Sequence, residues 1–143
     1  MSKPIRLITA MMLFGLIPLL AAAAEPTAQK VLYHLDQSSN ARWAMLLARA
    51  HLSQNDKAQI VVVAHGPGID FLLDDAEDRG GNLYEPAIME LMSRNVRFSI
   101  CEATLTARGI KPQRVGEGIM RVPSGAYEIV RLQTEEDYAY LKP

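Results

Sequence analysis

The chain has a single cysteine, Cys101, among its 143 residues. No internal disulfide can form, so packing alone must stabilise the fold, which excludes the small disulfide-rich scaffolds. Basic residues are not in excess either, since 15 lysines and arginines stand against 16 aspartates and glutamates. A domain with this balance lacks the positive surface that binds nucleic acid or an anionic membrane, and we expect neither as a partner.

The usual nucleotide and calcium motifs are also missing. The chain contains no GxGxxG and no GxxxxGK[ST] segment, so we expect no bound cofactor. The acidic run 74–78 lacks the alternating spacing of a calcium loop, and a solvated helix end is the better interpretation. We expect no metal site there.

The first 24 residues have the pattern of an export signal. Lys3 and Arg6 precede the apolar run 7–20, and four alanines end at Ala24. The alternative is an uncleaved membrane anchor, but the run is marginal for a bilayer, which needs roughly 20 residues. We therefore expect cleavage near Ala24, a mature domain over 25–143, a periplasmic location and no membrane attachment after cleavage.

The rest of the chain alternates strand-like and helix-like segments. The strand-like segments are 30–36, 60–64, 96–101, 118–122 and 138–142. The helix-like segments are 38–52, 69–81, 85–95, 102–109 and 123–133. The unbroken β-branched run at 60–64 is typical of a parallel strand buried on both faces. This order predicts a three-layer α/β/α domain, Rossmann-like in class, with a mainly parallel five-stranded sheet.

Helix ends and faces follow from the same segments. The first helix is predicted to bury one face made of Trp43, Leu46, Leu47 and Ala50. Ser38, Ser39 or Asn40 is predicted to cap its start, and Ser124 to cap the last helix. Gly109 is predicted to end the helix that follows Cys101.

Polar or reactive residues end the first three strands: Asp36, His65 and Cys101. Ligands of open parallel sheets bind beyond the carboxyl ends of the strands, so these are the candidate site residues. The helix predicted after Cys101 places its sulfur near free N–H groups that favour a thiolate. The alternative is that Cys101 is a small buried apolar residue.

His65 stands in the segment AHGPG. It can donate a hydrogen bond, carry a proton or bind metal, or it can simply cap backbone groups. Gly66 and Gly68 let the backbone pass close to a ligand or to a neighbouring strand. Asp36 is either a ligand-binding group or, as we favour, a cap of the following turn. A Cu(I) or Zn²⁺ site of His65 and Cys101 would need Asp36 or His34 as a further ligand, but His34 is better interpreted as a hydrogen-bonded core residue.

Four segments of the mature chain together resemble the DsrE/DsrF-like family, also called YchN-like, in particular its exported single-domain members. The segments are KVLYHLDQ, IVVVAHGPGIDFLL, RNVRFSICEATLTARGI and VPSGAYEIVRLQTEEDYAYLKP. The resemblance implies a three-layer α/β/α fold and a homo-oligomer, often a trimer or hexamer. In the sulfur-relay branch of the family a cysteine after the third strand carries a persulfide, and Cys101 matches that position.

Two functions are therefore expected from the sequence. In the first, the protein is a periplasmic thiol protein of sulfur metabolism that receives sulfur from a donor or a small sulfur compound. Cys101 is then the persulfide acceptor, and His65 shapes the pocket or moves protons. In the second, the protein is a non-enzymatic binding or assembly module with a structural cysteine, whose loop at Gly66–Gly68 contacts a small ligand or partner chain.

Overall fold

The structure is a computed structural model that describes residues 27–143. The predicted signal segment lies outside the described residues. The strands are β1 (Lys30–Leu35), β2 (Gln59–Ala64), β3 (Arg97–Cys101), β4 (Met120–Val122) and β5 (Ala139–Leu141). The α-helices are α1 (Ala41–Gln54), α2 (Glu85–Ser93), α3 (Glu102–Ala107) and α4 (Gly125–Glu135). Short 3₁₀ helices span Ser38–Asn40, Gly66–Leu72 and Pro112–Arg114. No helix within residues 27–143 is long and apolar enough to cross a membrane.

The five strands form one sheet in the order β4-β3-β2-β1-β5. Every strand pair in it is parallel. The three-layer α/β/α prediction is confirmed, and the sheet is wholly parallel. All five residues of the central run, Ile60–Ala64, are buried, as expected for a parallel strand that is covered on both faces.

The two faces of the sheet are covered unequally. One face packs under α1, α2, α3 and the 3₁₀ helix Gly66–Leu72, where most of the buried apolar residues lie. The other face holds a smaller cluster, in which Leu32, Val61 and Val63 meet Ile129 and Leu132 of α4. We call this second side the α4 face. Because side chains alternate along a strand, residues an even number of positions from Leu32, Val61 or Val63 lie on the α4 face.

The predicted buried face of α1 is wrong. Trp43 and Leu46 are about half exposed, at 53% and 52%, and Ala50 is exposed as well. The buried face consists of Ala41, Ala44, Met45, Ala48 and Leu52. Small alanines on that face let the helix approach the sheet closely, which leaves the larger residues on the outer side.

The segment 69–81 does not form the predicted α-helix. Its start belongs to the 3₁₀ helix Gly66–Leu72, and the rest is a loop tied down by isolated bridges from Leu73 to Val115 and from Glu77 to Leu83. Asp78 in the acidic run accepts hydrogen bonds from Arg42 and from the Gly80 and Asn82 backbone N–H groups. The Asn82 and Gly80 N–H groups and the Arg42 guanidinium hold the pKa of Asp78 at about 2.

The predicted helix ends are met in two of three cases. The Ser124 hydroxyl accepts a hydrogen bond from the Tyr127 N–H and caps α4. Gly109 follows α3 with a φ of 63°. No side chain caps α1, because the Ser38 hydroxyl instead donates to the Pro67 carbonyl and accepts from the Phe71 N–H.

The exposure of Trp43 predicts a fluorescence result, since it is the only tryptophan. Acrylamide should quench its emission in the folded protein nearly as well as in the urea-unfolded chain, because half of the indole surface contacts water. The measurement is a quenching titration in dilute folded and unfolded samples. Strong protection that persists at high dilution would contradict the placement of α1.

Candidate functional site

The strand register brings the three predicted site residues together. Leu35 pairs with Ala64, and Ala64 pairs with Ile100. The residues that follow are Asp36, His65 and Cys101, which lie side by side at the carboxyl end of the sheet and on the α4 face.

Cys101 is a buried thiol surrounded by hydrogen-bond donors. Its residue is 5% exposed. Burial disfavours the thiolate, but donors from the Thr104 hydroxyl and from the N–H groups of Gly125, Thr104 and Ala103 outweigh it, so the pKa of Cys101 is lowered. The Ala103 N–H is shared with the Pro123 carbonyl. The site therefore favours the reactive, charged form of sulfur.

Thr104 links the cysteine to the loop after β2. Its Oγ1 accepts a hydrogen bond of 3.0 Å from the Gly66 N–H. With that lone pair occupied, the hydroxyl hydrogen can point to the Cys101 sulfur, which is the other partner of Thr104. Because a thiolate has no hydrogen to donate, the Thr104 hydroxyl is the donor in any hydrogen bond between the two groups.

Gly125 lies between the two central side chains. A methyl group at this position would stand 3.0 Å from His65 Cβ and 3.3 Å from Cys101 Cβ. Such distances leave no room for a side chain without movement of its neighbours. The absent side chain at Gly125 therefore lets α4 begin directly over both residues and aim its first N–H at the sulfur.

An open cleft of about 610 Å³ lies next to Thr104. Its lining includes Gly66, Pro67, Asp70 and Arg108. The Arg108 guanidinium donates to the Asp70 carboxylate at 2.6 Å. Cys101 itself is not part of the lining, whereas its neighbour Thr104 is.

The His65 side chain is the first member of a chain of hydrogen-bonded side chains. His65 Nε2 lies 2.6 Å from His34 Nε2, and His34 Nδ1 lies 2.6 Å from the Tyr140 hydroxyl. The two imidazole rings stack with centroids 4.7 Å apart. Burial, and after it the neighbouring His65, lowers the pKa of His34. The prediction that His34 is a hydrogen-bonded core residue is met only in its hydrogen bonds, because the residue is half-buried and its partners belong to the site.

Asp36 does not cap the turn that follows β1. Its Oδ2 accepts from Lys142 Nζ at 2.5 Å. The Lys142 hydrogen bond lowers the pKa of Asp36, which is therefore ionised at neutral pH. The ion pair lies beside His34 at the surface end of the histidine chain.

The two predicted glycines have different surroundings. Gly66 has a φ of 55°, lines the cleft and has open space where a side chain would be. Gly68 is buried, and a Cβ there would overlap the Leu35 carbonyl oxygen. Gly66 therefore faces the open cleft, whereas Gly68 packs against the neighbouring strand.

The family model of the DsrE/DsrF-like family matches residues 29–143. The chain belongs to this family. The match covers every described strand and helix, so the family assignment and the fold rest on the same residues. At the level of the family, membership supports a sulfur-related role. A comparison with curated proteins finds no match.

Solved structures agree with the family assignment. MTH1491 from Methanobacterium thermoautotrophicum, a protein of unknown function, is 32% identical with a TM-score of 0.72. That similarity covers 80% of this chain and 99% of the other. The ychN protein from E. coli is 17% identical with a TM-score of 0.67 over the same shares of the two chains, which shows the fold alone.

Sequence reasoning missed three residues of the site: Thr104, Gly125 and Tyr140. Thr104 and Gly125 stand one turn into α3 and at the start of α4, and only the contact between those helix ends brings them to the sulfur. A signal for Tyr140 was present, because Tyr138 and Tyr140 alternate in the strand-like segment 138–142 as His34 and Asp36 do in the segment 30–36. Using that signal requires knowing that β5 lies next to β1 in the sheet.

No metal centre is evident in the described part of the chain. Within residues 27–143, no three histidine, cysteine or carboxylate side chains group closely enough to hold an ion. His34 and His65 already share a hydrogen bond through Nε2. A Cu(I) or Zn²⁺ site would have to break that bond.

Proposed function

We propose that the protein is a persulfide carrier of the periplasm, in which Cys101 holds the sulfur atom. The observation that carries this is the position of Cys101, 5% exposed and packed against Gly125 at the start of α4, where hydrogen-bond donors of Thr104, Gly125 and Ala103 lower the pKa of the thiol. A structural cysteine in an apolar core has no need of such donors. Family membership supports a sulfur-related role, and the matching position of Cys101 supports the persulfide.

The chemistry is a sulfur exchange in two balanced steps. The Cys101 thiolate attacks the outer sulfur of a donor persulfide, R–S–SH, and the S–S bond of the donor breaks. The electron pair leaves with the donor thiolate, which takes up a proton and departs as R–SH, while Cys101 keeps the sulfur as a persulfide. An acceptor thiol then removes that sulfur by the same exchange, so no net oxidant or reductant is needed.

The cleft beside Thr104 suits this exchange. Gly66 has no side chain to obstruct the approach, and Thr104, which acts on the Cys101 sulfur, lines the same cleft. Arg108 and Asp70 place a cation and an anion at the rim, 2.6 Å apart. A charged carrier of the donor sulfur can exchange partners with that ion pair.

Intact-mass spectrometry tests the carrier function. The reduced protein is incubated with a low-molecular-weight persulfide and then freed of excess reagent. The mass of the wild type should rise by one sulfur atom, and dithiothreitol should remove that sulfur. Cys101→Ser keeps the size and hydrogen bonding of the side chain and should gain none. A wild type that gains no sulfur from any persulfide donor would refute the proposal.

A second candidate function is an assembly module in which Cys101 is structural. The burial of Cys101, at 5% exposure, favours it. The discriminating measurement is alkylation of the native protein by a small reagent such as iodoacetamide. Complete protection of Cys101, together with full function of Cys101→Ala in cells, would select the assembly module.

We also propose a homo-oligomer. Large apolar side chains lie exposed on two outer helix surfaces: Trp43 and Leu46 on α1, and Tyr127 and Val130 on α4. The sheet ends on both sides in strands of three residues, β4 and β5, which leave short edges to protect. Sedimentation of the reduced protein at micromolar concentration should show an assembly larger than the monomer, and a clean monomer would contradict it.

The periplasmic location rests on the pattern of residues 1–24 and has its own test. Protein recovered from the periplasmic fraction should begin near residue 25. Retention of the full chain in the membrane fraction would point to the uncleaved anchor instead.

A further inference from the structure

A continuous chain of hydrogen bonds runs from His65 through His34 to Tyr140 and crosses three neighbouring strands. Both of its links measure 2.6 Å. One end lies near Cys101, because a single Cβ built on Gly125 would stand 3.0 Å from His65 Cβ and 3.3 Å from Cys101 Cβ. The other end reaches the surface, where Tyr140 is 43% exposed on an edge strand.

The protons of these two hydrogen bonds have two matched arrangements. Two Nε2 atoms at hydrogen-bond distance share one proton, so only one of the two can be the donor. In the first arrangement His34 Nε2–H donates to His65, His65 carries its proton on Nδ1, and the Tyr140 hydroxyl donates to His34 Nδ1. In the second, His65 Nε2–H donates to His34, and His34 Nδ1–H donates to the Tyr140 oxygen.

Moving from one arrangement to the other transfers a proton along the whole chain. We propose that His65, His34 and Tyr140 form a proton relay between the Cys101 pocket and solvent. The relay rests on the proposed persulfide chemistry, for which it supplies the proton steps. A buried thiol benefits from such a path, because Cys101 is only 5% exposed and does not line the open cleft beside it.

Each sulfur exchange uses the relay once. When the donor S–S bond breaks, the departing thiolate takes the proton of His65 Nδ1. His65 Nε2 takes the proton of His34 Nε2, His34 Nδ1 takes that of the Tyr140 hydroxyl, and water reprotonates Tyr140. The second exchange runs in reverse, as His65 Nδ1 takes the proton of the acceptor thiol and Tyr140 releases one to water. The chain of hydrogen bonds is then in its first arrangement again.

The local charges are compatible with an uncharged His34 ring. His34 is kept uncharged by burial and by His65, the two largest influences on its lowered pKa. Asp36 and Lys142 are the other charged groups that act on His34, and they are bound to each other. An uncharged His34 has one N–H and one free lone pair, which is what a relay residue needs.

Nitrogen-15 NMR of the labelled protein tests the chain independently of sulfur transfer. The chain has three histidines, and His51, which contacts Gln29 at 2.9 Å, is the internal reference. His34 and His65 should show complementary tautomers, or exchange jointly between them. Tyr140→Phe should change the tautomer populations of both His34 and His65 and leave His51 unchanged. Identical tautomers at the two residues, or no response to Tyr140→Phe, would overturn the relay.

The rate of sulfur uptake tests the role of the relay in sulfur exchange. General acid–base catalysis contributes roughly 10²–10⁴-fold, so His34→Gln and Tyr140→Phe should slow uptake from a persulfide donor by roughly tenfold or more, with His51→Gln at the wild-type rate. In mixtures of H₂O and D₂O the wild-type rate should depend non-linearly on deuterium content, and the Tyr140→Phe rate linearly.

The outcomes separate the relay from the persulfide function. Wild-type uptake with equal rates in both relay variants would overturn the relay and leave the carrier function standing. If no protein takes up sulfur, the carrier function fails. Complementary tautomers that respond to Tyr140→Phe would then support the hydrogen-bond chain, while its assignment to sulfur exchange would be overturned.

Discussion

Gly68→Ala should destabilise the folded protein by about 3 kcal/mol or more, at the upper end of the usual cost of overpacking. The added methyl group would fall on the Leu35 carbonyl oxygen and close to the Leu35 and Asp36 carbonyl carbons. These are backbone atoms of β1 and of the turn after it, so no rotation of a side chain can relieve the overlap. Urea unfolding followed by circular dichroism measures the loss.

Gly66→Ala is the matched control for this prediction. The position has open space, and only the left-handed conformation at a φ of 55° opposes a side chain. That conformation costs roughly 1–2 kcal/mol for a residue with Cβ. The ratio of the two losses distinguishes a glycine needed for contact from one needed for backbone shape. Equal losses, or a stable Gly68→Ala, would contradict the close packing of the 3₁₀ helix on β1.

The fold was predictable because its strongest signal is simple. Ile60–Ala64 is too apolar to be exposed on either side, and a strand of this kind requires helices on both faces of a parallel sheet. The α1 face was not predictable in the same way. Apolar residues fill the helix continuously from 43 to 48, so periodicity alone allows two faces. The face that contains the small alanines is the buried one, because it lets the helix pack closely on the sheet.

The candidate site was predictable only where strand ends fix it. Asp36, His65 and Cys101 end three strands that pair directly, and the edge where they meet follows from the parallel order. The contact between His34 and Tyr140 joins residues 106 positions apart. It depends on β5 returning to the side of β1, which no local pattern determines. The role of Thr104 likewise depends on where the Gly66 loop lies.

Thr104→Val should slow alkylation of Cys101 about tenfold near neutral pH. Valine keeps the shape of threonine but removes the hydroxyl that donates to the sulfur. A hydrogen bond to a charged group contributes about 1.5–3 kcal/mol, and its loss falls on the thiolate rather than on the neutral thiol. The pKa of Cys101 therefore rises in the variant, and less of the protein is in the reactive form at a given pH.

The pH dependence separates this effect from a change in access. Iodoacetamide labelling rates should differ most below the wild-type pKa and converge at high pH, where both proteins are fully ionised. Thr104→Ser restores a hydroxyl and should recover most of the wild-type rate. Thr106→Val changes an exposed threonine on the same helix and should have no effect. A rate ratio that is constant at every pH would show that Thr104 controls only the path to the sulfur. Because the Thr104 hydroxyl is positioned by the Gly66 N–H at 3.0 Å, the predicted pH-dependent loss would tie the reactivity of Cys101 to the loop that lines the cleft.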